Sequence, residues 1–127
     1  MTDDQKTRNK ALVERFIREI PYGPGDNLHV IDELVAEDYV QHNPHAGQGR
    51  EGLKQFFRDV VPLPLTGELG PEGTVAVKLI AEGDLVVRQE IRVNGMLIDI
   101  FRVREGQLAE HWDAWRSAPG FDPLPGL

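Results

Sequence analysis

The chain has 127 residues, of which 40% are hydrophobic, 28% charged and 7% aromatic. These are the proportions of an ordinary folded domain, long enough to bury roughly two-thirds of its unfolded surface without metal or disulfide support. It contains no cysteine, which excludes disulfide frameworks, thiolate metal sites and cysteine nucleophiles. A formal charge of −7 with no basic stripe argues against a nucleic-acid partner. No stretch reaches the ~20 apolar residues of a membrane span, and the polar opening MTDDQKTRNK lacks a signal peptide's apolar core. No membrane partner and a cytoplasmic location are therefore expected.

Leu12, Val13, Phe16, Ile17 and Ile20 recur at one-face helical spacing until Pro21, which predicts a first helix over 3–20. After the loop Pro21–Gly25, Asn27 is placed to cap a short helix carrying Val30, Ile31, Leu34 and Val35. Tyr39-Val40-Gln41-His42 reads as extended, and Asn43-Pro44 as a turn. Gly47 and Gly49 lead into a third helix that buries Leu53, Phe56, Phe57 and Val60 and is stopped by Pro62 and Pro64. Beyond Gly73 the apolar period changes from about 3.6 to 2. Four strands follow, over 74–81, 85–93, 97–104 and 107–116, separated by Glu82-Gly83-Asp84, Asn94-Gly95 and Glu105-Gly106. Such turns are too short for parallel crossovers, so the sheet should be an antiparallel meander. Helices first and strands later predict a single α+β domain, with an irregular Pro/Gly-rich tail over 117–127 that could lie along a partner chain.

Polar residues interrupt the apolar strand faces. Leu85, Val87, Gln89, Ile91 and Val93 alternate on one side of their strand, with Arg88, Glu90 and Arg92 opposite. Leu97, Asp99, Phe101 and Val103 share the next face, and Ala109, His111, Asp113 and Trp115 the last. The hairpin register decides which faces merge. A two-residue Asn94-Gly95 turn sets Glu90 beside Asp99, like charges opposed; a three-residue connection through Met96 instead levels Val93, Ile91 and Gln89 with Leu97, Asp99 and Phe101. The second register is preferred, and it gives an apolar cup holding Gln89, Asp99, His111 and Asp113.

A solvated aspartate paired with Arg102 or Arg116 is the plainer reading of any one of these residues. Three acid–base groups in one apolar cup favour function. His42 and Asn43 follow a strand end and either join the pocket or decorate a turn. The four histidines lack metal-ligand spacing, so no metal is expected. Gly47–Gly52 lacks the Lys-Ser/Thr ending of a phosphate loop, and Ser117 is the only serine, so serine nucleophile chemistry is excluded.

Tyr39-Val40-Gln41-His42-Asn43-Pro44, the helix start Gly49-Arg50-Glu51-Gly52-Leu53, and Asp99-Ile100-Phe101-Arg102-Val103 followed by Glu105-Gly106 and Glu110-His111-Trp112-Asp113 resemble SnoaL-like proteins of the nuclear-transport-factor-2-like superfamily. The resemblance covers roughly residues 8–116. It implies a cone-shaped α+β fold, with N-terminal helices packed in a strongly curved antiparallel sheet around an apolar pocket, and a homodimer joined through the sheet. In SnoaL-like cyclases a pocket carboxylate removes a proton beside a ketone and an intramolecular aldol closure follows, without metal or cofactor; Asp113 matches that carboxylate. Ketosteroid isomerases and limonene epoxide hydrolases are similar too, and Asp99 sits where such relatives hold a pocket acid. This sequence departs from the isomerases in lacking a carboxylate near His42-Asn43 and a tyrosine on helix one. It departs from the hydrolases in placing Arg102 on the opposite strand face.

The expected function is cofactor-independent acid/base chemistry of polyketide-cyclase or aldol type on a small apolar carbonyl compound. Asp113 is the base, His111 orients it or exchanges protons, and Asp99 with Gln89 binds the enolate oxygen. His42, Asn43, Val87, Ile91, Phe101, Trp115 and Phe16 are the expected substrate contacts. A non-catalytic binder of a hydrophobic metabolite is the alternative, as is an epoxide hydrolase or isomerase activity. In a third reading the outer face with Val86, Trp112 and Ala114 forms an assembly surface.

Overall fold

The computed structural model describes residues 2–127. Helix α1, Asp3–Glu19, starts in a capping box: the Thr2 hydroxyl accepts the Gln5 N–H at 3.1 Å and the Gln5 side chain accepts the Thr2 N–H at 2.9 Å. It buries Val13, Phe16 and Ile17. A 3-10 turn, Leu28–Val30, runs into the short helix α2, Ile31–Leu34. Asn27 stands at the N-cap position of the 3-10 turn but makes no capping bond, so the expected cap is absent. Strand β1, Val35–Gln41, follows at once and takes Val35 from the expected second helix. Helix α3, Gly49–Asp59, buries Leu53 and Phe57. Val60, expected on its buried side, lies past the last turn and is 59% exposed. Two further 3-10 turns, Gly67–Leu69 and Pro71–Gly73, occupy the loop before the strands.

Strands β2 (Thr74–Glu82), β3 (Leu85–Arg92), β4 (Gly95–Arg104) and β5 (Gln107–Arg116) form the expected antiparallel meander. The complete sheet is five-stranded and mixed, in the order β1-β5-β4-β3-β2, because β1 adds parallel to the free edge of β5. An all-antiparallel sheet was the sequence expectation. The long path from β1 through α3 and the meander supplies the crossover that parallel pairing needs. Helix α1 and the inner sheet face share one core with Ile31, Leu34, Val86, Phe101, Val103 and Leu108.

The β3–β4 hairpin has neither of the registers weighed from sequence. Arg92 pairs with Gly95, Glu90 with Leu97, Arg88 with Asp99 and Val86 with Phe101, so Val93-Asn94 forms the turn. Neither turn residue has a positive φ, unlike the Glu105-Gly106 turn, where both do (51° and 76°). Gly95 therefore serves the strand and not the turn. A Cβ at Gly95 would lie 2.5 Å from the Trp115 ring and 2.3 Å from the Arg116 carbonyl, so the indole can cross β4 there only over a glycine. This register reverses the expected faces of β3. Arg88, Glu90 and Arg92 point inward with Asp99, while Val87, Gln89 and Ile91 lie on the outer face. Val86 likewise belongs to the core and not to an outer assembly surface.

The inward charges neutralise one another. Glu90 is 1% exposed and is bracketed by Arg88 and Arg92; Arg88 also binds Glu14 of α1 at 2.5 Å. Glu90 accepts hydrogen bonds from the Tyr22 hydroxyl at 2.5 Å and from the Thr74 hydroxyl at 2.9 Å. Arg92 donates onward to the carbonyls of Glu68 at 2.7 Å and Gly70 at 2.6 Å, which ties the 3-10 loop to the sheet. Burial alone would raise the Glu90 pKa, but the bonds from Tyr22, Arg88 and Arg92 hold it below the ordinary carboxylate value.

On the outer face the C-terminal tail returns over its own sheet. The Leu124 N–H donates to the Gln89 Oε1 at 2.9 Å, and Lys78 donates to the Leu127 carbonyl. Among the described residues, no helix is long and apolar enough to cross a membrane.

Two outcomes follow from these constraints. Gly95→Ala should cost about 1–3 kcal/mol by forcing the Trp115 ring off β4, measured as a lower denaturant midpoint with unchanged slope. Glu90→Gln leaves two buried guanidiniums short of charge and should cost about 3–5 kcal/mol at neutral pH. Because the folded Glu90 pKa is depressed, its stabilisation is present above the unfolded carboxylate pKa of about 4.3 and disappears as pH falls through the lower folded value. Urea titrations from pH 7 downward should therefore show the gap between native protein and Glu90→Gln narrowing below about pH 4. A gap independent of pH would rule out this ionic role.

Candidate active site

Period two along β1 turns Tyr39 and Gln41 inward, while Val40 is exposed. Gln48, just before α3, clamps the backbone of Gln41: its Oε1 accepts the Gln41 N–H at 2.9 Å and its Nε2 donates to the Gln41 carbonyl at 2.8 Å. A side chain thus occupies the free edge of β1, as a further strand would. On the other edge β1 meets β5, with Gln41 opposite His111.

Strand β5 carries a bulge at Ala109, where pairing slips from Arg102–Glu110 to Val103–Leu108. The extra residue lets both Leu108 and His111 face inward although they are three apart. Leu108 joins the core, and His111 pairs with Phe101, its ring centroid 4.6 Å from the phenyl. Asp99 and Asp113 then stand directly opposite each other on β4 and β5.

The His111 ring is held at both nitrogens. Nδ1 lies 2.7 Å from Gln41 Oε1, which also accepts the Asn43 backbone N–H at 3.0 Å. That oxygen can only accept, so Nδ1 carries a hydrogen. Nε2 faces Asp99 Oδ1 at 2.8 Å and Asp113 Oδ2 at 3.9 Å. A proton therefore lies between His111 and Asp99, whether as imidazolium with carboxylate or imidazole with carboxylic acid. Asp113 Oδ2 accepts a bond from Asn43 Nδ2 at 2.9 Å. Asp99 and His111 are buried, whereas the Asp113 side chain retains 25% exposure.

These groups line a cavity of about 240 Å³. Its walls are Phe16 and Ile17 from α1, Leu53, Phe56 and Phe57 from α3, Val61 and Leu65 from the loop, and Leu97 and Phe101 from β4. Phe16 packs edge-on against both Phe57, at 6.2 Å, and Phe101, at 5.8 Å. Tyr22 and Glu90, bonded to each other, also line it. Asp99, His111 and Asp113 each offer a ligand atom within 4.8 Å of the others, and the proton shared by His111 Nε2 and Asp99 occupies the imidazole nitrogen that would face a metal ion.

Of the residues picked out from sequence, Asp99, His111, Asp113, Asn43, Phe101 and Phe16 line the cavity. Gln89, Val87 and Ile91 do not, since the β3 register turns them outward. His42 is also outside: its ring stacks on Trp112 at 4.8 Å, its Nε2 meets Glu110 at 2.7 Å, and Arg102 lies over the same indole at 5.9 Å. Trp115 points to the inner side but lies over Gly95, 47% exposed and off the cavity. Tyr39, Gln41, Tyr22 and Glu90 were missed. The strand alternation that admits Asn43 also selects Gln41 and Tyr39 and rejects His42, so that signal was in the sequence.

The SnoaL-like domain profile matches residues 13–111. No protein of curated function matches the sequence. Among solved structures, TsrD from Streptomyces laurentii is 23% identical, with 87% of this chain and 89% of that chain covered and a TM-score of 0.57. A proposed polyketide cyclase from Acidithiobacillus ferrooxidans is 15% identical, with 91% of each chain covered and a TM-score of 0.61. An LEH-like epoxide hydrolase from M. tuberculosis is 17% identical over 88% of this chain and 85% of that one, with a TM-score of 0.60. At these identities the structural likeness establishes the α+β nuclear-transport-factor-2-like fold, and the profile match over residues 13–111 makes the chain a member of the SnoaL-like domain family.

Proposed function

We propose that the protein is a cofactor-independent acid–base enzyme that removes a proton next to the carbonyl of a small apolar compound, in the manner of a polyketide cyclase or aldol catalyst. The observation that carries this is the meeting of Asp99, His111 and Asp113 in a cavity walled largely by apolar and aromatic side chains. Asp113 is the base. It is the more exposed carboxylate, and Asn43 fixes its orientation at 2.9 Å. Its oxygen takes the carbon-bound proton while the C–H electron pair moves into the enolate and the carbonyl oxygen gains charge.

The His111–Asp99 pair already holds a proton between its members at 2.8 Å, and it supplies the acid. In an aldol closure the enolate carbon attacks a second carbonyl of the same molecule. The new alkoxide takes a proton from the pair, which recovers one from Asp113. Gln41 keeps the imidazole in the required orientation, and the aromatic walls exclude water from the enolate. An epoxide hydrolase of the Asp-Arg-Asp kind fits less well, because Arg102 lies on the outer face and bonds Asp84 and Glu110.

The proton-removal step is testable without the natural substrate. Protein in D₂O should accelerate exchange of the activated methylene protons of 2-tetralone, followed by proton NMR. Asp113→Asn should lower the protein-dependent rate by ~10²–10⁴-fold, the usual worth of a positioned general base. Exchange unaffected by Asp113→Asn would remove that residue from the role. Saturable binding of 2-tetralone with no exchange above buffer would favour a metabolite-binding protein.

A further inference from the structure

We propose that the phenol of Tyr39 is a catalytic residue of this site, donating a hydrogen bond to the ligand oxygen on which negative charge develops. This rests on the proton-abstraction reading above and adds to it a group that the sequence motifs left out. Tyr39 is 2% exposed and lines the cavity. Its hydroxyl accepts a long bond of 3.4 Å from Gln41 Nε2. Among the described residues no acceptor receives its own proton, and a buried phenol ordinarily finds one. The other cavity phenol differs: the Tyr22 proton is committed to Glu90 at 2.5 Å.

The Tyr39 hydroxyl shares the Gln41 side chain with the His111 imidazole, so it stands beside the acid–base groups in the cavity lining. An acceptor oxygen on a ligand placed there would complete its bonding. Burial, then the charge of Asp99, push the phenol above its ordinary pKa. It therefore remains an O–H donor at neutral pH and does not become a competing anion. The ligand class follows: a neutral compound whose ketone oxygen gains charge as an enolate. A donor aimed at charge that develops only during the reaction is worth more than one serving the ground state.

The test compares binding of 2-naphthol, which mimics the enol of 2-tetralone, with that of naphthalene, which has the same shape and no oxygen. Tyr39→Phe removes one oxygen from a buried ring. It should weaken 2-naphthol at least tenfold, leave naphthalene affinity within about twofold, and slow 2-tetralone exchange by ~10²–10³-fold. Equal 2-naphthol affinity in Tyr39→Phe and native protein would overturn the proposal. So would parallel loss of naphthalene binding, since the hydroxyl would then shape the cavity and not bind oxygen. If native protein fails to exchange 2-tetralone yet discriminates 2-naphthol through Tyr39, the base chemistry is wrong and the oxygen-binding role stands.

Discussion

The pairing of β4 with β5 sets Asp99 against Asp113 and Phe101 against His111, and the remaining site geometry depends on it. Opposed carboxylates in an antiparallel pair repel, so this register needs a compensating group within reach. His111 supplies it, with Nε2 turned to both acids. The imidazole can do so only because the bulge at Ala109 returns it to the inner face after Leu108 has entered the core. Strand β1 then has to be parallel and adjacent to β5, since only there can Gln41 meet Nδ1. The clamp by Gln48 holds that strand end without a further strand.

Among the described residues two buried polar clusters stand out, and they are balanced differently. Around Glu90 the charges close on themselves: Glu14 and Glu90 face Arg88 and Arg92, and Tyr22, Thr74 and two loop carbonyls take the remaining bonds. The charged groups of this cluster are paired with one another, and its work is to fix α1 and the 67–73 loop against the sheet. Around His111 the accounting is incomplete. Among the described residues nothing donates to Asp99 Oδ2, and Asp99 lines the cavity. Unsatisfied capacity opening on a cavity is a property of a binding site; satisfied capacity within the core belongs to the scaffold.

Much of this was legible in the sequence because alternation and helical periodicity are local. They sufficed for α1, α3 and the four-strand meander, and for the inward set Asp99, Phe101, His111 and Asp113. The β3 partners were not legible, because register is a property of a pair of strands and one slip exchanges every side chain. Asn94-Gly95 carried a strong turn signal, but the demand for Gly95 comes from Trp115, twenty residues later in the chain. Charge also misled. Arg88, Glu90 and Arg92 look like a wet face when read singly, and only their mutual pairing permits burial. The parallel placement of β1 was hidden for the same reason, since no local signal distinguishes a strand that returns to a distant edge.

The commitment of Arg88 and Arg92 to Glu90 also limits what the cavity can accept. Among the described residues no Lys or Arg side chain lines it, while Asp99, Asp113 and Glu90 do. A carboxylate or phosphate on the ligand would lose its hydration and meet acids of its own sign, in a chain that already carries a net charge of −7. A cationic ligand would find the carboxylates attractive, yet its charge would have to pass aromatic walls, and the hydrogens on Asn43 and His111 face those same acids. A neutral molecule with one acceptor oxygen and an apolar body meets neither penalty. The same absence of a free cation makes oxyanion stabilisation a matter of neutral or shared-proton donors, which is where the Tyr39 phenol and the His111–Asp99 pair converge.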